Sequence, residues 1–288
     1  MPSYEPFDPD PRPPRRMPPA GACDSQFHVL GPADRYPVRP GAAYEMPTAT
    51  IERALAMHRI IGIERGVIVQ PTTYGADHQV TIDGLAVAGP GYRGCANAAV
   101  LVERDDAYIA RLDAAGVKGA RFSRGSLGIE LTAAELDRAL ARVRELGWYV
   151  KVQPETDGIA GNIGRFQKLD LPVLLDHMGR PDPRRGAADP SLAKVVELLG
   201  RGNFWVMLSL VEKTSKAGHP WDDVVPIART LIEAAPDRVV WASDWPHPVS
   251  ANKPPHEGQL MDFLFRCTAD DAERQKILVD NPAKLFGF

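Results

Sequence analysis

Short apolar segments alternate with amphipathic stretches along most of the chain, and this alternation is the feature that most restricts its fold. Apolar, β-branched runs are typical of strands, whereas apolar positions spaced three or four apart are typical of helices. About eight such strand–helix units indicate an α/β fold whose parallel strands close into a (β/α)8 TIM barrel. No glycine-rich phosphate-binding sequence follows the first strand, which argues against an open dinucleotide-binding sheet. The predicted strands are residues 22–28, 66–70, 95–102, 117–122, 148–153, 173–176, 204–209 and 239–243.

Capping residues mark the ends of several predicted helices. Thr132 followed by Glu135 has the spacing of a capping box, in which two residues satisfy free N–H groups of the first turn. Three of the helices are followed by glycine, where a left-handed residue would end them. These glycines are Gly116, Gly147 and Gly200. The predicted helices cover residues 50–61, 105–115, 132–146, 189–199, 222–235 and 269–288, and long loops are expected at 31–47 and 71–94.

The first 21 residues differ in composition from the rest, because eight of them are proline. Proline fixes φ and removes a backbone donor, so residues 1–21 are predicted to form an extended N-terminal arm. No second linker of this kind follows, and residues 22–288 are predicted to form a single barrel domain. The arm is compatible with either a monomer or a homodimer.

The overall composition limits the partners of the chain. A net charge of -3, with basic residues scattered among acidic ones, argues against binding to nucleic acid. No apolar run approaches the roughly 18 residues that cross a bilayer, and the N-terminus lacks the core of a signal peptide. We therefore expect a cytoplasmic protein with no membrane partner. Cys23, Cys95 and Cys267 lack Cys-x-x-Cys spacing, which predicts reduced thiols.

A carboxylate follows the last predicted strand. Residues 239–243 are mostly apolar and run directly into Asp244. In a (β/α)8 barrel the C-terminal ends of the strands form the active-site face, so Asp244 would lie partly desolvated at the mouth. We therefore predict that Asp244 is the catalytic base.

Polar residues also lie at the ends of the other predicted strands. The period of two in the first strand places Asp24, Gln26 and His28 on one face, which we expect to point into the barrel. His177 follows the sixth strand. Cations and hydrogen-bonding groups at this rim are candidates for binding a carboxylated substrate, since arginine can make two parallel hydrogen bonds to one carboxylate. The candidates are Arg121, Arg124, Arg180, Lys213, Tyr44, Thr72, Gln153 and His247.

Several polar residues also have a purely structural interpretation. Asp24 and Asp176 could anchor neighbouring loops by accepting backbone hydrogen bonds. Lys151 is more simply explained as a solvated lysine whose stem alone is buried. His247 could order the loop around Asp244 instead of binding substrate.

Four segments together resemble the amidohydrolase superfamily. They are Asp24-x-x-x-His28, Asp-His-Met-Gly-Arg-Pro at 176–181, Ser-Asp-Trp-Pro-His at 243–247 and Asn-Pro-Ala-Lys-Leu-Phe at 281–286. The loop after His28 is also similar to the lactonase branch that opens pyrone dicarboxylates. The resemblance covers nearly all of the chain after Gly21. It implies an amidohydrolase-like barrel, hydrolysis of a small anionic lactone such as 2-pyrone-4,6-dicarboxylate in aromatic catabolism, and a role for Asp244 in activating water.

Gln26 departs from the pattern of that superfamily, most members of which carry His-x-His at this point and use both rings to hold a divalent metal. A neutral amide is a poor ligand for Zn²⁺. We therefore expect no metal ligands and no cofactor, with Zn²⁺ as the alternative. Without a metal, His28 and His177 would donate hydrogen bonds to the developing oxyanion. Gln26 would donate to the same place or orient His28.

Four functional hypotheses follow from these residues. The leading one is a metal-independent lactonase in which Asp244 activates water. Gln26 also resembles the residue found in sugar-lactone isomerases of the D-galactarolactone type, in which Asp244 would remove a proton from a substrate hydroxyl. A zinc-dependent hydrolase or decarboxylase would instead use His28, His177 and Asp244 as ligands. A non-catalytic protein that binds small acids is the fourth, and the negative charge of Asp244 argues against it.

Overall fold

Eight parallel strands form the centre of the molecule, and each pairs with the next in chain order. The computed structural model describes residues 7–123 and 129–288. The strands are β1 (Cys23–Phe27), β2 (Arg65–Val69), β3 (Tyr92–Asn97), β4 (Val117–Phe122), β5 (Tyr149–Val152), β6 (Val173–Leu175), β7 (Phe204–Leu208) and β8 (Val239–Trp241). The ring closes just beyond β8, where Asp244 N donates to Gln26 O at 3.1 Å and His28 N donates to Trp245 O at 2.7 Å. The predicted (β/α)8 TIM barrel is therefore confirmed.

Helices surround the strands and connect them. The capping box at the start of the fifth helix is present as predicted, with Glu135 N donating to Thr132 Oγ1 at 3.3 Å and Thr132 N donating to Glu135 Oε2 at 2.9 Å. The helices are α1 (Ile51–Ile61), α2 (Gln79–Ala88), α3 (Val100–Glu103), α4 (Asp106–Ala114), α5 (Ala133–Leu146), α6 (Ile159–Asn162), α7 (Pro190–Leu199), α8 (Val211–Thr214), α9 (Val225–Ala234), α10 (Glu257–Cys267), α11 (Asp271–Gln275) and α12 (Asn281–Phe286).

The third strand begins and ends earlier than the sequence predicted. The prediction covered residues 95–102, whereas β3 ends at Asn97 and the apolar run after it forms α3. The chain turns at Asn97, whose side-chain Oδ1 accepts a hydrogen bond from Ala99 N at 3.0 Å. Such a side-chain turn competes with continuation of the strand. A short apolar run does not distinguish strand from helix without this information.

Two helices of more than four residues, α2 and α10, were not predicted, and one predicted cap is wrong. Gly84 weakens the helical signal of α2, yet it lets this helix approach β2, because a Cβ there would lie 3.2 Å from Ile68 Cδ1. Gly147 caps α5 with φ +65°, as predicted. Gly200 has φ −61°, since the chain keeps a right-handed conformation there, and the left-handed residue is Gly202 at φ +86°.

Apolar side chains fill the barrel interior beneath the polar residues at its mouth. Phe286 of α12 closes the opposite end, with its ring centroid 5.3 Å from that of Tyr149 at the start of β5. Each large apolar side chain buried in this way contributes about 1.5–3 kcal/mol, so this floor is a rigid support for the polar residues above it. The three cysteines are all buried, and none forms a disulfide. The interior set is Cys23, Val67, Val69, Cys95, Tyr149, Leu174, Trp205, Met207, Val240, Ala242 and Phe286.

Residues 7–21 run along the outside of the barrel without regular secondary structure. The Phe7 ring lies 4.8 Å from that of Trp245, next to Asp244, and Arg15 N donates to Asp262 Oδ1 on α10 at 2.8 Å. This segment therefore contacts the loop that carries the predicted base. The domain boundary at residue 21 stays a prediction. Within the described ranges, no helix has the length and hydropathy needed to cross a bilayer.

Candidate active site

Asp244 lies at the C-terminal end of β8 and is 4% exposed. Gln26 Nε2 donates to Asp244 Oδ1 at 2.6 Å, and because a carboxylate can only accept, this contact fixes the orientation of the amide. His28 Nε2 lies 3.5 Å from the same oxygen, whereas Lys213 Nζ lies 4.0 Å from Oδ2. Oδ1 is thus held by the protein, and Oδ2 lies on the side of the cavity that Lys213 lines. Gln26 orients Asp244 rather than His28.

In each histidine at the cavity, one ring nitrogen has a partner that can only accept or only donate a hydrogen bond, and this partner decides whether that nitrogen carries a hydrogen. His28 Nδ1 lies 2.8 Å from Val69 O, so this nitrogen carries the hydrogen. Arg121 Nη2 lies 3.3 Å from His177 Nε2, and a guanidinium can only donate, so the hydrogen of His177 is on Nδ1 and faces Ser209 Oγ at 2.9 Å. His28 Nε2 faces Asp244 Oδ1, and His177 Nε2 accepts a hydrogen bond from Arg121. The role of the two histidines as oxyanion donors stays a prediction.

Three cations approach the cavity from neighbouring strand ends. Arg121 belongs to β4, Arg180 follows β6, and Lys213 belongs to α8 after β7. Lys213 is held in place because its Nζ also donates to Pro248 O at 2.7 Å. Nine of the predicted site residues meet here, together with three apolar neighbours. The lining residues are His28, Tyr44, Thr72, Arg121, Gln153, His177, Arg180, Leu210, Lys213, Asp244, Pro248 and Val249.

Asp244 is ionised across the neutral pH range. Burial would raise its pKa, but His177, His28 and Lys213 outweigh burial and hold the pKa well below its ordinary value. Burial lowers the pKa of His177 itself to about 4, despite the nearby carboxylates. His177 is therefore neutral at pH 7, and the contacts with His28 and Lys213 remain to stabilise the carboxylate.

A buried ion network lies directly beneath Arg121. Arg121 Nε donates to Asp176 Oδ2 at 2.7 Å, and Lys151 Nζ lies 3.1 Å from Asp176 Oδ1. The side chains of Lys151 and Asp176 are both 0% exposed. The interpretation of Lys151 as a solvated lysine is therefore wrong, and Asp176 binds two side-chain cations instead of anchoring a loop. The sequence signal that would have identified this position is the period of two in β5, which puts Lys151 on the same face as Gln153.

The period of two predicted that Asp24 points into the barrel together with Gln26 and His28. The structure shows that it does not. Its carboxylate instead contacts His58 Nε2 of α1 at 3.2 Å and accepts hydrogen bonds from both the backbone and the side chain of Ser243. The pairing of β1 with β2 shifts in register between Asp24 and Phe27, and this irregularity breaks the alternation. Asp24 therefore joins β1 to α1 and to the segment before Asp244.

His247 lies behind the cavity, not in it. Its side chain is 0% exposed, with Nδ1 at 3.3 Å from Glu212 Oε1 and Nε2 at 3.2 Å from Glu257 Oε1. Both ring nitrogens are thus engaged, which corrects the prediction that His247 binds substrate and agrees with a role in ordering the loop. Burial alone would lower its pKa, but the hydrogen bonds and charges of the two glutamates raise it to about 9.

This buried imidazolium predicts a loss of stability in alkaline solution. A histidine in the unfolded chain has a pKa near 6.5, so the stabilisation from His247 is complete below that pH and is lost as pH rises through about 9. At pH 6, His247→Gln is expected to reduce the free energy of unfolding by about 3 kcal/mol. This value follows from the difference between the folded and unfolded pKa values, at roughly 1.4 kcal/mol per pKa unit. The difference should shrink towards pH 10 when both proteins are unfolded in urea. A difference independent of pH would contradict a charged His247.

The residues at the strand ends do not suit a divalent metal. The position of the usual first histidine is Gln26, whose buried Oε1 has no hydrogen-bond partner among the described residues but is a poor ligand. His177 Nε2, the other expected ligand atom, accepts a hydrogen bond from the Arg121 cation. No three His, Cys, Asp or Glu side chains within residues 7–123 and 129–288 converge as metal ligands would. Arg124, a predicted substrate ligand, lies outside the described residues.

Several residues after the last three strands adopt a left-handed backbone although they are not glycine. His177 has φ +53°, Leu210 φ +63° and Asp244 φ +60°. Conformations of this kind cost about 1–3 kcal/mol each and concentrate at functional sites, because the surrounding contacts must enforce them. The backbone at this face is therefore shaped to aim side chains at the cavity.

A closed parallel barrel with an acid at the end of β8 and cations around it defines a barrel enzyme whose active site is at the C-terminal face. The family model described as "Amidohydrolase" matches residues 23–288. The chain belongs to the amidohydrolase family, as its motifs predicted.

Several named relatives match nearly the full length of the chain. It is 35% identical to 4-sulfomuconolactone hydrolase of Hydrogenophaga intermedia and 34% identical to 2-pyrone-4,6-dicarboxylate hydrolase of Comamonas testosteroni, covering 94% and 93% of this chain and 90% of each relative. It is 30% identical to D-galactarolactone isomerase of Agrobacterium fabrum, over 93% of this chain and 91% of that one. A solved apo structure from Agrobacterium tumefaciens has a TM-score of 0.83 and 28% identity, covering 96% of this chain and 98% of that one.

Proposed function

We propose that this enzyme is a lactonase that hydrolyses a small anionic lactone without a metal. The observation that carries the proposal is an ionised Asp244 at a cavity that is also lined by Arg121, Arg180 and Lys213. A base and several cations in one cavity suit an electrophilic ring that carries acid groups. Relatives named as hydrolases of 4-sulfomuconolactone and 2-pyrone-4,6-dicarboxylate support this substrate class.

The first chemical step is attack of water on the lactone carbonyl carbon. Asp244 Oδ2 takes one proton from the water while the new C–O bond forms and the carbonyl π electrons move to its oxygen. The low pKa of Asp244 makes it a weak base in the empty cavity. An anionic substrate would neutralise the nearby cations and exclude water, and both effects raise the pKa of the carboxyl group towards a more useful value.

The second step opens the ring. The oxyanion collapses, the bond between the carbonyl carbon and the ring oxygen breaks, and that oxygen receives the proton held by Asp244. One water is consumed, and the product is an open-chain acid with one additional carboxyl group, which releases the second proton of the water to solvent when it ionises. Arg121, Arg180 and Lys213 are the groups that can donate to the oxyanion and to the substrate's acid groups, and one such donor typically contributes about 2.7–4 kcal/mol to transition-state stabilisation.

The test is a substrate panel assayed with protein that has been treated with a chelator. The panel contains 2-pyrone-4,6-dicarboxylate, 4-sulfomuconolactone, D-galactarolactone and a neutral lactone of six-membered ring, with products identified by NMR. We expect the treated protein to convert an anionic lactone to the open-chain acid at the same rate with and without added Zn²⁺. Activity that appears only with Zn²⁺ would refute the metal-free mechanism. Binding of acids without turnover would refute the proposal that the protein is a lactonase.

Isomerisation of a sugar lactone is the second candidate, and the 30% identity to D-galactarolactone isomerase favours it. In that reaction Asp244 Oδ2 would deprotonate a substrate hydroxyl, which would attack the carbonyl in place of water. The same NMR experiment separates the two reactions, because an isomerase yields a rearranged lactone and a lactonase yields an acid.

A further inference from the structure

We propose that Lys151 is a positioning residue, which keeps Arg121 available to substrate by occupying the second oxygen of Asp176. This inference rests on the proposed function, and within it on Arg121 binding an acid group of the substrate. It assigns a role in substrate binding to a side chain that does not line the cavity.

Lys151 lies one layer below the cavity, inside the barrel. It is the register partner of Arg121 across β4 and β5, so the two side chains project to the same side. Its Nζ approaches Met207 Sδ of the apolar floor at 3.8 Å and Asp176 Oδ1 at 3.1 Å. In the part of the chain that the structure describes, Asp176 is the only carboxylate in ion-pair contact with Lys151. Burial of an ammonium group with one anionic partner carries a large desolvation cost. This cost indicates that Lys151 has a role beyond packing.

Asp176 divides its two oxygens between the two cations. Oδ2 accepts a hydrogen bond from Arg121 Nε at 2.7 Å, while Oδ1 is in ion-pair contact with Lys151 and makes no aligned hydrogen bond. Arg121 therefore binds Asp176 through Nε alone. Its terminal nitrogens remain on the upper side, where Nη2 meets His177 and the side chain lines the cavity.

An arginine beside a carboxylate with two open oxygens prefers to bind both, using two parallel N–H groups. Without the ammonium of Lys151, Oδ1 of Asp176 would be a buried anionic oxygen with nothing to bind. Arg121 would then turn one terminal N–H down to it and withdraw that group from the cavity. Lys151 prevents this pairing because it already neutralises Oδ1.

The proposal predicts a specific kinetic effect for Lys151→Met, which keeps the length of the side chain and removes its charge. For an anionic lactone, KM should rise about tenfold with kcat within about threefold, since a ground-state contact is lost. For a neutral lactone of the same ring size, KM should stay unchanged. A crystal structure of the variant should place an Nη of Arg121 within hydrogen-bond distance of Asp176 Oδ1.

Lys118→Met is the matched control, because Lys118 lies on β4 and pairs with Asp113 at the surface, 40% exposed. It should leave both KM values unchanged. Lys151→Leu carries the same expectation as Lys151→Met and replaces it if methionine is not tolerated. Equal rises in KM for charged and neutral lactones, or an Arg121 that keeps its single contact with Asp176, would overturn the proposal. Failure of the wild type to open any lactone would refute the proposed function instead, while the crystallographic comparison would still test the arrangement of Arg121.

Discussion

Asp244→Asn is expected to reduce kcat for lactone opening by about 10³-fold, within the range typical of a lost general base. An asparagine has the same shape and can still accept the hydrogen bond that Gln26 Nε2 donates to Oδ1. Its amide cannot take a proton from water, so the chemical step is lost while the cavity keeps its form. The free energy of unfolding should also fall, because the low pKa of Asp244 means that its ionised form stabilises the fold at pH 7.

The measurement is kcat and KM for the best anionic lactone, with urea unfolding of the same preparations. Asp182→Asn is the control, since Asp182 lies on the same face but pairs with exposed Arg184 at 2.7 Å. This control should retain wild-type kcat. Asp244→Asn with more than about a tenth of the wild-type kcat would remove Asp244 from the mechanism, because a general base contributes at least about 10²-fold.

Asp176→Asn is expected to cause the largest loss of stability. Asp176 is 0% exposed and is the carboxylate shared by Lys151 and Arg121. Removing its charge leaves two buried cations facing a neutral amide, and breaking a buried pair in this way typically costs about 3–5 kcal/mol. The pKa of Asp176 is itself held below its ordinary value, because the two cations outweigh the effect of burial.

Urea unfolding at pH 7 tests this expectation. Asp237→Asn is the control, because Asp237 pairs with Lys276 at 2.7 Å on the surface, where its side chain is 62% exposed. An exposed pair of this kind contributes about 0–1 kcal/mol. A loss for Asp176→Asn no greater than that of the control would mean that the network beneath Arg121 does not stabilise the fold.

Seven of the eight strands, most ends of the predicted helices and the meeting of polar residues at one rim could be predicted from sequence, because each depends on local patterns. Asp244 follows an apolar strand, and Thr132 and Glu135 form their capping box within one turn. The closure of the barrel then brings the ends of distant strands together. The sequence alone is therefore enough to group His28, His177 and Asp244.

The features that the sequence did not predict depend on contacts between strands. The shift in register after Asp24 turns that residue outwards, and no local pattern marks it. Lys151 is buried where Asp176, the residue that follows the neighbouring strand β6, can pair with it. The burial of His247 between Glu212 and Glu257 likewise requires α8 and α10 to lie close together behind the cavity.

The left-handed backbone of His177, Leu210 and Asp244 has a consequence for how such an enzyme tolerates change. Each of these residues stores conformational energy at the face where substrate specificity is determined, and the apolar floor must compensate for it. Substitutions that reshape this face therefore begin with little margin against unfolding, whereas substitutions that improve the floor widen that margin. Adaptation to a new lactone would thus depend first on gains in packing at the opposite end of the barrel.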